Sequence, residues 1–175
     1  MRLICFSLLA MLLCAFAPRP SLEQAFAALH HDPASAAEAQ SEIEDAWRTA
    51  DETGIDILKN RAVAAIDQER FDLAAVLLAN VTQLAPSFNE GWVLYGDVLQ
   101  RQGHFGPART AFTQALRAEP RDYRAMVKLG ELARSQGQTT EALGHFQDAL
   151  RIHPYLPGLK ARLDDIERDA YGREI

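Results

Sequence analysis

The stretch Asn89–Pro120, NEGWVLYGDVLQRQGHFGPARTAFTQALRAEP, contains two apolar helical patterns separated by the turn sequence QGHFGP and closed by a proline. The stretch Tyr123–Pro154 repeats this design 34 residues later. A period of this length indicates stacked helical units, each of which buries its apolar face against its neighbours. A looser copy precedes these two, so the period predicts three repeats, at 55–88, 89–122 and 123–156.

The residues that recur at this shift differ in size, and each size suits one task in a helix pair. Gly96 and Gly130 lie inside first helices, where glycine costs roughly 1 kcal/mol of helix propensity relative to alanine. That cost predicts a close crossing with a neighbouring helix, which a larger residue would overpack. Gly103 and Gly137 are placed to end the first helices. The other shared positions are Trp92 with Met126, Tyr95 with Leu129, Leu99 with Ala133, Ala108 with Ala142, Phe112 with Phe146, Ala115 with Ala149, and Pro120 with Pro154.

These residues resemble the tetratricopeptide repeat (TPR), whose pattern is W-x2-L-G-x2-Y, then A-x3-F, then A and P. The resemblance covers about 100 of the 175 residues, and it implies an all-α fold, a TPR-type helix-turn-helix solenoid of three repeats. The first repeat is degenerate, because Arg61 stands where an apolar residue is expected. A plain helical bundle is the alternative, but it needs no fixed glycine and proline positions. We predict six repeat helices, bounded near 55–67, 71–85, 89–101, 105–118, 123–135 and 139–152.

Helical segments flank the repeats, and a stacked array needs such segments because its end units expose apolar faces. Residues 18–54 form an N-terminal helical segment whose two helices are broken at Asp32-Pro33. We expect this helix pair to cap the first repeat. Residues 157–175 form a capping helix and tail with charged residues on the outer side. The apolar side of that helix carries Leu159, Leu163 and Ile166.

The first 17 residues, MRLICFSLLAMLLCAFA, contain one positive charge followed by an apolar run that ends in the small-x-small pattern of a cleavage site. The run is shorter than the roughly 20 residues of a membrane-spanning helix. We expect residues 1–17 to be a secretory signal peptide, or an N-terminal anchor if Pro18 prevents cleavage. Both cysteines, Cys5 and Cys14, lie in this segment, so the exported part would hold no disulfide. An exported, periplasmic location is the corresponding expectation.

Composition and motifs argue against several classes of function. The chain has 24 acidic and 18 basic side chains and a net charge of −6, so we expect no nucleic-acid partner. It lacks the motifs of nucleotide-binding loops, nucleophile elbows and zinc proteases, so we expect no enzyme activity, no catalytic residues and no cofactor. His30, His31 and Asp32 form a candidate metal cluster, but adjacent histidines before Asp-Pro are more typical of a solvated helix end. We therefore expect no bound metal.

The TPR resemblance implies that the first helices of successive repeats line a concave groove, in which a peptide or a partner segment lies. The groove positions begin at the second and fifth residues of each first helix. We expect the partner-binding residues to be Lys59, Val63, Glu90, Val93, Asp97, Arg124, Val127, Lys128 and Glu131. An ordinary solvated helix face is the alternative for any one of these positions.

One known TPR site is a clamp for the acidic C-terminal carboxylate of chaperones. Lys59, Arg124 and Lys128 match that clamp by charge, but Val63 and Leu94 stand where its two asparagines are expected. Without those amides the carboxylate loses the neutral donors that fix its orientation. The clamp is therefore disfavoured.

We expect a non-catalytic protein-protein interaction module, an adaptor or scaffold of the bacterial cell envelope that binds a protein or peptide in its groove. Two alternatives stay open. One is an array that self-assembles end to end through Trp47 or the terminal helix, and the other is an accessory subunit of an envelope enzyme. Contact with a membrane is expected only through residues 1–17, if that segment stays uncleaved.

Overall fold

The computed structural model describes residues 21–50 and 53–172, so the predicted signal segment at 1–17 lies outside the described residues. Every secondary-structure element within the described ranges is an α-helix. None of these helices is both long enough and apolar enough to cross a membrane. The helices are α1 (Leu22–Ala28), α2 (Pro33–Arg48), α3 (Thr53–Asp67), α4 (Phe71–Leu84), α5 (Asn89–Arg101), α6 (Phe105–Ala118), α7 (Tyr123–Ser135), α8 (Thr139–Ile152) and α9 (Leu159–Tyr171).

The six helices from α3 to α8 form three consecutive helix pairs, as the 34-residue period predicts. Helices α5 to α8 have the predicted bounds, α3 begins two residues earlier at Thr53, and α4 ends one residue earlier at Leu84. From α3 to α8, each helix contacts the next helix along the chain. The predicted all-α solenoid is therefore confirmed.

The interior glycines lie where the two helices of a repeat cross. A Cβ atom at Gly96 would lie 2.5 Å from Cε1 of Phe112, and a Cβ atom at Gly130 would lie 2.5 Å from Cε1 of Phe146. Both phenylalanine rings are fully buried. Since real Cβ atoms do not approach other atoms this closely, the ring occupies the space that a side chain on the first helix would need. This contact is the physical reason for the recurrent glycine.

The first helices end with a left-handed residue in all three repeats. Gly103 (φ 78°) and Gly137 (φ 75°) hold this position in the second and third repeats, and Glu69 (φ 57°) holds it in the first. A left-handed conformation costs an L-residue roughly 1–2 kcal/mol, so the first repeat carries a strain that the others avoid. The next amide closes the turn in the same way each time, through Arg70 N to Ala65 O (2.8 Å), His104 N to Leu99 O (2.8 Å) and Gln138 N to Ala133 O (2.9 Å).

The two ends of the array differ. At the C-terminal end, α9 packs against α8 with Leu159 and Ile166 buried, as expected for a cap. At the other end, Ile57 on the outer face of α3 is 57% exposed and Arg61 is also exposed. The expectation that the N-terminal helices cap the first repeat is therefore wrong. Those helices pack elsewhere, because their buried residues belong to one apolar cluster with residues of α7 and α8.

Candidate functional site

Helices α1 and α2, here called the N-terminal pair, lie across the first turns of the first helices. Near the end of α2, the Arg48 carbonyl accepts a hydrogen bond from Lys59 of α3. Near its middle, Gln40 reaches His153, just after α8, with 3.1 Å between Oε1 and Nε2. Helix α2 therefore runs past all three repeats in the direction opposite to their order in the chain.

Trp47 is the main apolar contact between the N-terminal pair and the array. Its indole ring lies 5.4 Å from the ring of Tyr123 and 5.9 Å from that of Phe26, measured between centroids. The guanidinium carbon of Arg124 lies 4.7 Å from the centre of the indole. Trp47 is only 5% exposed, so it is not available as the surface for end-to-end assembly that the sequence had suggested.

Polar groups fix the N-terminal pair on the third repeat. Arg121, in the loop before α7, pairs with Glu23 at 3.0 Å, and its guanidinium carbon lies 3.8 Å from the ring centre of Phe26. The hydroxyl of Tyr123 donates to Glu44 at 3.4 Å. Burial, together with the nearby carboxylate of Glu44, raises the pKa of Tyr123 well above its ordinary value, so this hydroxyl keeps its proton.

His153 lies beneath the middle of α2 and is 1% exposed. Its ring meets the Tyr123 ring edge-on, with 5.2 Å between centroids. Burial lowers the pKa of His153, and the charge of His30 lowers it further, while Glu44 opposes the shift. The imidazole is therefore a neutral packing group at neutral pH.

The N-terminal pair divides the groove into two halves. In the half that it covers, Lys59 is enclosed by Asp56 and the Arg48 carbonyl, and its side chain is 12% exposed. Glu90 is 9% exposed, and Val127 packs against the apolar cluster that contains Trp47. We call the set Lys59, Glu90, Arg124 and Val127 the covered half.

Arg124 is the centre of a charge cluster in the covered half. Its guanidinium lies 2.9 Å from Glu90 and 3.2 Å from Asp122. Burial alone would lower the pKa of Arg124, but the two carboxylates raise it above its ordinary value. Burial raises the pKa of Glu90, and Arg124 opposes that shift. The Arg124 guanidinium is thus already paired with two carboxylates, so it is not free to anchor a ligand while α2 is in place.

Val93 does not line the groove, and the expectation that it binds a partner there is wrong. The side chain is 6% exposed and packs in a buried cluster with Ala115 and Ala125. The fifth position of α5 faces the neighbouring repeat because the first helices stack side by side. A charge at this position would therefore disrupt packing between repeats rather than test ligand binding.

The other half of the groove is not covered by α2. Asp97 of α5 pairs with Lys128 of α7 at 2.8 Å, and their side chains are 27% and 34% exposed. Together with Gln100 and Arg101 they line an open pocket of about 270 Å³. One repeat further on, Glu131 pairs with Arg162 of α9 at 2.5 Å. We call the set Asp97, Gln100, Arg101, Lys128 and Glu131 the open half. Val63, which holds the position of Asp97 in α3, is half-buried.

The structure does not assemble the carboxylate clamp. Lys59 and Arg124 have intramolecular partners in the covered half. Of the three cations that match the clamp by charge, Lys128 lies in the open half. The three cations therefore do not converge on one site.

Two buried residues that the sequence analysis missed hold the covered half in shape. Asp122 is fully buried before α7, where its carboxylate accepts hydrogen bonds from the amides of Arg124 and Ala125. Asn89, the first residue of α5, donates to the same carboxylate at 2.8 Å. An aspartate before a helical pattern is a helix-capping signal, so the role of Asp122 as the N-cap of α7 could have been predicted. Its partner Asn89 could not, since a pairing between residues 33 positions apart leaves no signal in the sequence.

The histidine cluster of the sequence lies at the start of α2, where Asp32 caps the helix. The side chain of Asp32 accepts from the amides of Ala34 and Ser35, which makes it the N-cap of α2. The hydrogen bonds from Ser35 lower the pKa of Asp32. In the described part of the chain, no group of three or more histidine, cysteine, aspartate or glutamate side chains is arranged to hold a metal ion.

Comparison with known proteins gives two sequence relatives and a family match. Residues 94–157 match the tetratricopeptide repeat family. A TPR repeat-containing protein of Rhizobium etli is 24% identical over 139 residues, which cover 78% of this chain and 68% of that protein. The human Superkiller complex protein 3 is 30% identical over 92 residues, which cover 51% of this chain and 6% of that protein.

Solved structures match the fold over a larger share of their length. The first TPR of Spaghetti (RPAP3), bound to the HSP90 peptide SRMEEVD, superposes with a TM-score of 0.65 at 15% identity, covering 70% of this chain and 98% of that chain. The Yersinia enterocolitica type III secretion chaperone SycD, in complex with a peptide of the translocator YopD, gives a TM-score of 0.63 at 14% identity, covering 69% of this chain and 94% of that chain. Residues 94–157 therefore match tetratricopeptide repeats, and the chain has the helical solenoid fold of these TPR structures.

Proposed function

We propose that the chain is a non-catalytic interaction module that binds a peptide segment of a partner protein in the open half of its groove. The observation that carries the proposal is the row of half-exposed charged groups on neighbouring first helices, at Asp97, Lys128 and Glu131, which α2 leaves uncovered. Two solved structures with the same fold hold peptides, which supports a peptide as the type of ligand.

The charges of the open half favour a partner segment that carries carboxylates. Arg101, Lys128, Arg134 and Arg162 lie in or beside it, against the two carboxylates of Asp97 and Glu131. This local excess of positive charge contrasts with the net charge of −6 for the whole chain. Exposed ion pairs contribute only about 0–1 kcal/mol, so a ligand carboxylate could replace Asp97 as the partner of Lys128 at little cost.

The test compares capture of partners by two matched charge reversals in the full chain. Lys128→Glu places a third carboxylate in the open half, whereas Lys160→Glu makes the same change at an exposed position on α9. Each protein is immobilised, and proteins retained from an envelope extract are quantified by mass spectrometry. We expect at least one partner to bind the parent and Lys160→Glu equally and to bind Lys128→Glu about tenfold less. Equal retention by all three proteins would place the interaction outside the open half.

We also propose that the module works in the bacterial cell envelope, as an adaptor or scaffold. The support is the pattern of residues 1–17, which combines one positive charge, an apolar run and small residues at its end. Cell fractionation of the full chain with a C-terminal tag, followed by N-terminal sequencing, tests this location. A cytoplasmic product that begins at Met1 would contradict it.

A further inference from the structure

The repeat array has apolar cores of its own that do not include the N-terminal pair. Ala62, Leu78 and Val98 belong to a buried cluster formed by α3, α4 and α5. Leu99, Phe112 and Leu132 belong to another, formed by α5, α6 and α7. These two clusters hold the first two repeats together and join the third repeat to the second, so that packing does not need α2. Helices α7 and α8 share their own cluster with the N-terminal pair.

Helix α2 occupies the covered half as a ligand helix occupies a groove. Its apolar stripe, Ala39, Ile43 and Trp47, has a spacing of four residues, and all three side chains are buried against α1 and the third repeat. A stripe with this spacing, placed in a groove, is the usual mode of helix recognition. The groove side offers the Tyr123 ring and the Arg124 guanidinium to the last residue of the stripe.

Polar contacts complement this fit. Lys59 of α3 donates to the Arg48 carbonyl, and the guanidinium of Arg124 lies against the indole of Trp47. Arg121 pairs with Glu23 of α1. The covered half therefore presents cationic side chains to a carbonyl, an aromatic ring and a carboxylate of the N-terminal pair.

Some buried polar atoms between α2 and the third repeat lack a hydrogen-bond partner. Within the described part of the chain, the buried Nε1 of Trp47 and the buried Nδ1 of His153 have no hydrogen-bond partner. A buried polar group without a partner is destabilising. Both groups lie where α2 meets the third repeat, so the contact is not optimised in the way that the glycine-phenylalanine crossings are.

We infer that the covered half is a helix-binding site whose occupant is exchangeable. It holds α2 in the free chain, and it accepts an amphipathic helix of a partner protein that presents a branched apolar residue and an aromatic residue four positions apart, like Ile43 and Trp47. This inference does not rest on peptide binding in the open half, which uses other residues.

The test measures whether the covered half binds a helix in trans once its own helix is weakened. The full chain with Ile43→Asp places a carboxylate in the buried stripe and so disfavours docking of α2. The probe is a fluorescent peptide of the parent sequence 33–49, and its binding is measured by fluorescence anisotropy. We expect the Ile43→Asp chain to bind this peptide at least about tenfold more tightly than the parent chain does. A control peptide with Trp47→Ala should lose about tenfold in affinity for the Ile43→Asp chain.

Two results would overturn the inference. One is an Ile43→Asp chain that keeps the far-ultraviolet circular dichroism of the array and does not bind the peptide. The other is an Ile43→Asp chain that loses its helical structure altogether, which would show that the N-terminal pair is an integral part of the core.

Hydrogen exchange of the unmodified chain provides a second measurement that needs no variant. An exchangeable α2 opens without unfolding of the array, so its amides around Ile43 should exchange at least about tenfold faster than the buried amides of α7. Equal protection of α2 and α7 would contradict the inference.

Discussion

The first and third repeats have the same arrangement of two helices, but different residues fill the crossing between those helices. Where the helices cross, the third repeat combines Gly130 with Phe146, and the first combines Ala62 with Leu78. Ala62 is larger than Gly130 by one methyl group, and Leu78 is smaller than Phe146. The comparison shows that the conserved quantity at this crossing is the summed volume rather than the identity of either residue.

The outer faces of the two repeats differ for another reason. Arg61 in the first repeat is exposed, whereas the equivalent Leu129 in the third is buried against the repeat before it. The first repeat has no preceding repeat, so a polar side chain is suitable at this position. Its departure from the TPR pattern is therefore a property of an array end.

The largest expected effect comes from filling the crossing of the third repeat. Gly130→Leu should lower the free energy of unfolding by about 1–3 kcal/mol through overpacking, because even a Cβ would lie 2.5 Å from the Phe146 ring. Thermal or urea unfolding of the full chain measures the change.

Gly144 of α8 provides the matched control, since a Cβ at that position would meet no atom within 4 Å. Gly144→Ala should stabilise the chain by up to about 1 kcal/mol through helix propensity. If Gly130→Leu leaves the stability unchanged, the helices do not cross closely at Gly130.

The second-largest effect concerns whether the residue pair at the crossing of the third repeat can be replaced by the pair found in the first repeat. Gly130→Ala and Phe146→Leu should each destabilise the chain, the first by overpacking and the second by leaving a cavity. The double variant reproduces the first repeat and should be more stable than the sum of the single effects predicts, by about 1 kcal/mol or more. A double-mutant cycle from urea unfolding gives this coupling, and strict additivity would show that volume is not exchanged between the two positions.

The strained turn of the first repeat offers a stabilising change. Glu69→Gly should raise the free energy of unfolding by about 1 kcal/mol, because glycine adopts the left-handed conformation at φ 57° without the usual cost. The reciprocal change in the third repeat, Gly137→Ala, should destabilise by a similar amount. Opposite signs in urea unfolding would support the equivalence of the two turns, and equal signs would contradict it.

The smallest effect is confined to acidic pH and concerns the N-terminal pair, which contacts the third repeat through His153. Because burial lowers the pKa of His153 in the folded chain, the unfolded chain takes up a proton first as the pH falls below about 6.5. The stability contribution is therefore present at neutral pH and lost on acidification. Between about pH 7.5 and about pH 5.5, the parent should lose more stability than His153→Gln does. An equal loss in both proteins would assign the pH dependence to other groups.

The sequence predicted the array well because its signals are local. Gly96, Gly130 and the repeat-ending prolines act within one helix pair, and their spacing gave four helices with correct bounds. The expected groove residues were carried over from the TPR pattern, which places Val93 on an exposed face. The structure buries Val93 because the adjacent first helix brings Ala125 against it.

The position of the N-terminal pair could not be predicted in this way. The apolar stripe of α2 is visible in the sequence, but it does not specify which of several apolar surfaces it will cover. The contacts that decide this, Gln40 with His153 and Glu23 with Arg121, join residues 113 and 98 positions apart. Pairing over such distances leaves no periodic trace in a single sequence.

This separation affects the order of events during synthesis. The residues of α2 leave the ribosome before those of the third repeat, so the docking surface of α2 is incomplete until His153 has been made. At about 5–20 residues per second, a gap of 113 residues corresponds to roughly 5–20 seconds. During that interval the apolar stripe of α2 lacks the surface of the third repeat, and its docking follows the completion of that repeat.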